Sequence, residues 1–168
     1  MAGLQQPIKS TMKQITLNSG KVIVTDPCYE PVNGYNRTIK NVLPGKWNCA
    51  VRTKDCGDWG RRIASLTIRH ENYPKGRFDG YEGWAAVDSG QCGFFDPKYY
   101  DKNQPDDDFD NLKSWYRRVC ELTLNKPDWG TIEDKGVVAS SGYGDGCYDI
   151  LSIRDRSGFI VGLKLKFI

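Results

Sequence analysis

Three short polar clusters hold the residues whose types and spacing suit chemistry. The first is Asp26-Pro27-Cys28-Tyr29-Glu30, and the second is Asp88-Ser89-Gly90-Gln91 followed by Asp96. The third is the run Ser140-Ser141-Gly142-Tyr143-Gly144-Asp145-Gly146-Cys147-Tyr148-Asp149. Glycines at 142, 144 and 146 permit positive φ and a close approach of backbone to a ligand. Successive amides in such a loop can form a nest for an anion. The run lacks the Gly-Lys-Ser/Thr of a phosphate-binding loop and the following helix of a dinucleotide fingerprint. Its other reading is a glycine-rich hairpin in which Asp145 caps its own turn.

Each residue type in these clusters has a chemical and a structural reading. Asp26, Glu30, Asp88, Asp96, Asp145 and Asp149 offer the oxygen ligands that Mg²⁺ or Ca²⁺ favours, without EF-hand spacing. Asp-Pro and Asp-Gly pairs are equally common turn formers. Cys28 or Cys147 with His70 as base would make a nucleophile; otherwise His70 is a surface residue at the end of a strand. The six cysteines contain no C-x-x-C pair and His70 is the only histidine, so the ligands of a structural zinc site are missing. Tyr29, Tyr99, Tyr100, Tyr143 and Tyr148 lie in or beside the clusters and can stack on a base or sugar. The five tryptophans read as core or rim. Lys54, Arg61 and Arg62 could meet phosphate or simply solvate a sheet edge.

These clusters need elements to position them, and an internal repeat supplies the plan. Residues 18–29 align without a gap on 88–99: Ser-Gly, five residues, then Asp-Pro-x-Tyr. Each copy reads as strand, Ser-Gly turn, short strand and Asp-Pro exit. A weaker echo follows each copy, 45–51 with 60–68 and 146–153 with 158–165, as two hairpins. Leu112, Trp115, Tyr116, Val119, Cys120 and Leu124 fall at helical spacing and predict an amphipathic helix over about 109–124. Asp106, Asp107, Asp108 and Asp110 would serve its N-terminus, and Asn125 with Pro127 would end it. The expected fold is mainly β (α+β): an internally duplicated β-sandwich or barrel-like domain over 14–168 with one amphipathic helix. Residues 1–13 read as a loose arm.

Composition narrows the function. At 168 residues, 39% hydrophobic and 12% aromatic, the chain can bury a core of its own. A net charge of +3 gives no strong nucleic-acid signal, and no apolar run approaches a membrane span. The first residues lack the apolar stretch of a secretory signal, so reduced thiols and a cytoplasmic location are expected.

Asp26-Pro27-Cys28-Tyr29, Val87-Asp88-Ser89-Gly90-Gln91 and Ser141-Gly142-Tyr143-Gly144-Asp145-Gly146-Cys147-Tyr148 together resemble the signatures of an uncharacterised protein family of bacteria and bacteriophages. The resemblance runs from about Thr16 to the C-terminus. It implies no reaction and no catalytic residue; in phage it implies an accessory protein acting in the host cytoplasm. The expectation is a protein that binds a small anionic, nucleotide-like ligand and sequesters a host defence signal. Asp26, Asp88, Gln91, Ser141 and Asp145 would orient polar groups, and the Gly142, Gly144 and Gly146 amides would hold the anion. Tyr29, Tyr143 and Tyr148 would stack. No cofactor is expected. The alternatives are a divalent-metal-dependent phosphodiesterase built on the carboxylates, and an inhibitor that docks a host enzyme; a homodimer is compatible with either.

Overall fold

In the computed structural model, which describes residues 12–31, 34–103 and 110–168, two antiparallel sheets face each other without closing into a barrel. The first half of the chain contributes β1 (Lys13–Leu17), β2 (Lys21–Thr25), β3 (Arg37–Lys40), β4 (Gly45–Asp55) and β5 (Arg61–His70). The second contributes β6 (Gly80–Val87), β7 (Gln91–Phe95), α1 (Pro97–Lys102), α2 (Trp115–Leu124), β8 (Trp129–Ile132), β9 (Gly136–Ser140), β10 (Gly146–Arg154) and β11 (Ile160–Lys166). The six-stranded sheet has the order β1-β4-β5-β11-β10-β6 and the five-stranded sheet β3-β2-β7-β9-β8. Among the described residues no helix is long and apolar enough to cross a membrane.

The repeat is written into this strand order. β1, β4 and β5 form one half of the larger sheet, and β6, β10 and β11 form the other in mirrored order. The halves meet where β5 pairs with β11, and again in the smaller sheet where β2 pairs with β7. Each Ser-Gly turn carries the chain from an edge strand of the larger sheet to a central strand of the smaller one. Gly20 and Gly90 make the same crossing with φ of 71° and 70°, a conformation that favours glycine.

Two apolar layers result. Val22, Val24, Cys92, Phe94, Val137 and Ala139 point from the smaller sheet into the inter-sheet core, meeting Trp47, Leu66, Ile150 and Leu165 of the larger one. Ile23, Phe95 and Val138 alternate to the other face and pack under Tyr100, Trp115 and Val119 of the helices. Strands buried on both faces explain why 21–25 and 91–95 are nearly continuous apolar runs.

The helices differ from expectation. α2 begins at Trp115, because Ser114 accepts from the Arg117 amide as its N-cap and Asn111 turns the preceding chain by accepting from the Lys113 amide. Asp110 and Leu112 are therefore exposed ahead of the helix, while Asp106, Asp107 and Asp108 lie outside the described residues. A second helix, α1, was not expected. Asp96-Pro97 is an N-cap followed by proline in the first turn, a helix-start signature that also reads as a strand exit. At the N-terminus, Lys13 belongs to β1; the rest of the expected arm, but for Met12, lies outside the described residues.

Candidate functional site

The antiparallel pairing of β2 with β7 sets Thr25 opposite Gly93, so Asp26 lies beside the turn that opens β7. Its carboxylate is fully buried. Oδ1 accepts from the Cys28 amide at 2.9 Å and the Ser89 hydroxyl at 2.6 Å, and Oδ2 from the amides of Asp88 at 2.8 Å and Ser89 at 2.6 Å. The first motif is thereby tied to the second. The second is tied to the third: the Gly90 amide donates to Asp145 Oδ1 at 3.0 Å, and the Gly90 carbonyl accepts from the Ser141 amide at 3.0 Å. Residues 51 to 63 positions apart in sequence thus meet, and all three motifs converge.

Most of the convergent groups face inward. Gln91 is buried; its amide nitrogen reaches Ser89 Oγ and Cys120 Sγ, and its oxygen accepts from Thr123 Oγ1, joining the turn to α2. The hydroxyls of Ser141 and Tyr148 both donate to the Gly144 carbonyl, at 2.8 and 2.6 Å. The Tyr148 ring stands edge-on to Phe167, 5.2 Å between centroids, and burial raises its phenol pKa. The Gly144 amide donates to the Ser141 carbonyl, so the expected nest is in part a turn closed on itself. Gly146 opens β10, opposite Val87. Tyr29 is half-buried and stacks on Tyr35 at 5.1 Å; burial and the charges near it push its pKa up to about 12. Asp88 keeps its side chain toward solvent.

The third motif also borders an open cleft of about 390 Å³. One wall is the 3₁₀ turn Gly57–Trp59 with Arg61 and Arg62 at the start of β5; the other is Ser140 and Gly142, with Lys126 and Asp128 from the loop before β8. Gly142 has a φ of 65°, and a Cβ there would press on Phe167 and Ile168 at 3.2 and 3.1 Å, so only glycine fits. Arg62 is pinned across the cleft, Nε donating to the Trp59 carbonyl at 3.0 Å and a terminal nitrogen to the Gly142 carbonyl at 3.2 Å. Trp59 (69% exposed) and Tyr143 (58% exposed) meet edge to face at 6.3 Å. The cleft continues along Arg61, Ile63 and Lys126 into a second depression of about 400 Å³. Lys126 pairs with Asp128 at 2.6 Å.

Of the expected site residues, Gly142 lines this cleft and Tyr143 stands against its Trp59. Trp59, Lys126 and Asp128 were not singled out. The signal for Trp59 was available, since a tryptophan between glycines in a hairpin turn has little to bury against.

The nucleophile reading is overturned. His70 is buried rather than at the surface, held between Trp47 and Tyr73. Its Nε2 donates to the Pro44 carbonyl at 2.9 Å, while Nδ1 accepts from the Asn72 amide at 3.2 Å, so neither nitrogen is left to act as a base. Burial and the Asp26 charge push the Cys28 thiol up to about 12, opposite to what a nucleophilic thiolate needs. Among the described residues no three His, Cys, Asp or Glu side chains gather as metal ligands. The chain matches no family model, no curated protein and no solved structure.

Proposed function

We propose that this protein binds a small anionic ligand carrying a flat ring, of nucleotide type, in the cleft between the hairpin turn and the third-motif loop. The observation that carries the reading is a pair of exposed aromatic rings, Trp59 and Tyr143, at a cleft lined by Arg61, Arg62 and Lys126. A volume of about 390 Å³ falls in the range of small-molecule sites. Arg62 is held in place by two carbonyls before any ligand arrives, which lowers the ordering cost of binding. In this arrangement the anion meets guanidinium groups rather than the glycine-loop amides, and the ring stacks on Trp59 or Tyr143.

The motif network is the scaffold behind the site: Asp26, Gln91, Ser141, Asp145 and Tyr148 hold the loop that presents Gly142 and Tyr143. Sequestration of a host nucleotide signal by a phage-type accessory protein is the version supported by the motif resemblance. The phosphodiesterase alternative is weakened because Asp26, Asp96 and Asp145 are engaged with backbone amides.

Titration calorimetry with mononucleotides, cyclic dinucleotides and inorganic phosphate tests the reading. A nucleotide should bind with a Kd in the micromolar range, and Trp59→Ala and Arg61→Ala should each weaken it about tenfold or more. Binding unchanged in both variants, or no nucleotide binding at millimolar concentration, would overturn it.

A further inference from the structure

We infer that the solvent face of the six-stranded sheet, away from the cleft, is a binding surface for single-stranded nucleic acid. The inference starts from strand register. Leu66 and Ile68 of β5, and Leu163 and Leu165 of β11, point into the core, so Thr67, Arg69, Lys164 and Lys166 point outward. On β4 the same alternation turns Arg52 outward, opposite Ser65, which is in turn opposite Lys166. Four cations from three adjacent strands therefore share one face. Their mutual closeness shows at Lys164, whose pKa is lowered first by burial and then by the charges of Arg52, Lys166 and Arg69. Asp149, opposite Lys166, is the acid set among them by register, and Glu82 at the edge is already paired with Arg154 at 2.7 Å.

The same face carries aromatic rings at its edge. Trp84 lies opposite Asp149, and Tyr81 opposite Leu151, with a register shift between the two pairs. That bulge is the reason residues three apart on β6 present side chains to the same side. Both are exposed, Trp84 by 47% and Tyr81 by 61%. Each cation row thus ends in a ring: Lys166, Asp149, Trp84 across one row and Lys164, Leu151, Tyr81 across the next. Two strand spacings, roughly 10 Å, separate cation from ring. The segment joining β5 to β6 packs on one end of this face and holds two of the cations in place: Arg69 donates to the Gly76 carbonyl at 3.2 Å, and the Phe78 ring lies 4.5 Å from Arg69 and 5.8 Å from Lys164.

An acidic peptide would use the cations and leave the rings idle. A duplex would present phosphates but no free base faces. A single strand uses both, with its backbone on the cations and its bases on Tyr81 and Trp84. The overall charge of +3 hides this surface because it sums the whole chain, whereas here four cations share a face with Asp149 as the acid set among them.

The experiment is fluorescence anisotropy with a labelled 12-nucleotide oligo(dT) at two or more salt concentrations, using the full chain. Binding should weaken with salt with a log–log slope of about −3, from about 0.7 per neutralised phosphate over four cations. Lys166→Glu should weaken binding at least about tenfold and flatten the slope, and Trp84→Ala and Tyr81→Ala should each weaken it roughly five- to a hundredfold. All three positions are exposed, and unchanged far-UV circular dichroism checks the fold. Equal affinity for polyglutamate or for a duplex of the same length, or no binding at low salt, overturns the inference. So does oligonucleotide binding that Trp59→Ala abolishes and Lys166→Glu leaves intact, which would assign the strand to the cleft instead.

Discussion

Asp26 and Asp96 occupy the same position of the repeat, yet their carboxylates do different work. Asp96 caps α1 by accepting from the Tyr99 amide. Asp26 is buried and accepts four hydrogen bonds, three of them from a turn more than sixty residues away. Removing a cap costs about 1 kcal/mol, whereas leaving several inward-facing donors without an acceptor costs about 1–3 kcal/mol for each that water cannot reach. Asp26→Ala should therefore destabilise the protein by about 3 kcal/mol or more and Asp96→Ala by about 1 kcal/mol. Urea unfolding midpoints measure both, and equal losses would mean that the Asp26 network adds nothing beyond an ordinary turn.

At the scale of elements, the smaller sheet is the part that tolerates least. β7 lies between β2 and β9, with Cys92 and Phe94 facing the sandwich core and Phe95 facing the helices. Its middle residue, Gly93, sits so close to β9 that a Cβ would come within 2.1 Å of the Val137 carbonyl. Backbone, unlike a flexible side chain, cannot move aside without breaking the ladder. Gly93→Ala should accordingly cost about 2 kcal/mol or more despite adding a single methyl group; an unchanged thermal midpoint would contradict this packing. The hairpins were legible from the sequence because glycine-led turns and alternating patterns are local signals. The turn at Asp155 to Gly158 forms as expected, with Asp155 Oδ1 accepting from the amides of Ser157 and Phe159. The start of α2 was less legible, since Ser114 and the aspartates upstream are all good caps and only packing of Trp115 selects among them.

Across the whole molecule, neither repeat owns a complete sheet. Each half ends in an open strand edge, β5 and β2 in one and β11 and β7 in the other, and pairing these edges builds both sheets. A half alone would expose unpaired backbone and one side of the core. Unfolding should then be a single transition in which circular dichroism and tryptophan fluorescence coincide. Two separated transitions would show that the halves are independent units.

The sequence by itself determined the β-rich class, the duplication, the hairpins and the three motifs, because each is a matter of local periodicity and turn chemistry. It also named the residues that converge, since strand ends that follow equivalent turns are brought side by side when repeats pair. Only the tertiary structure decided which way those residues face. Asp26, Gln91 and Tyr148 turn inward and spend their polar atoms on neighbouring turns and on α2, while Trp59, an undistinguished hairpin residue in the sequence, stands open beside Tyr143. The segregation of cations onto one sheet face was equally invisible. A charge count sums along the chain, but the field at a surface depends on which strands lie side by side, and that is fixed by register between distant segments.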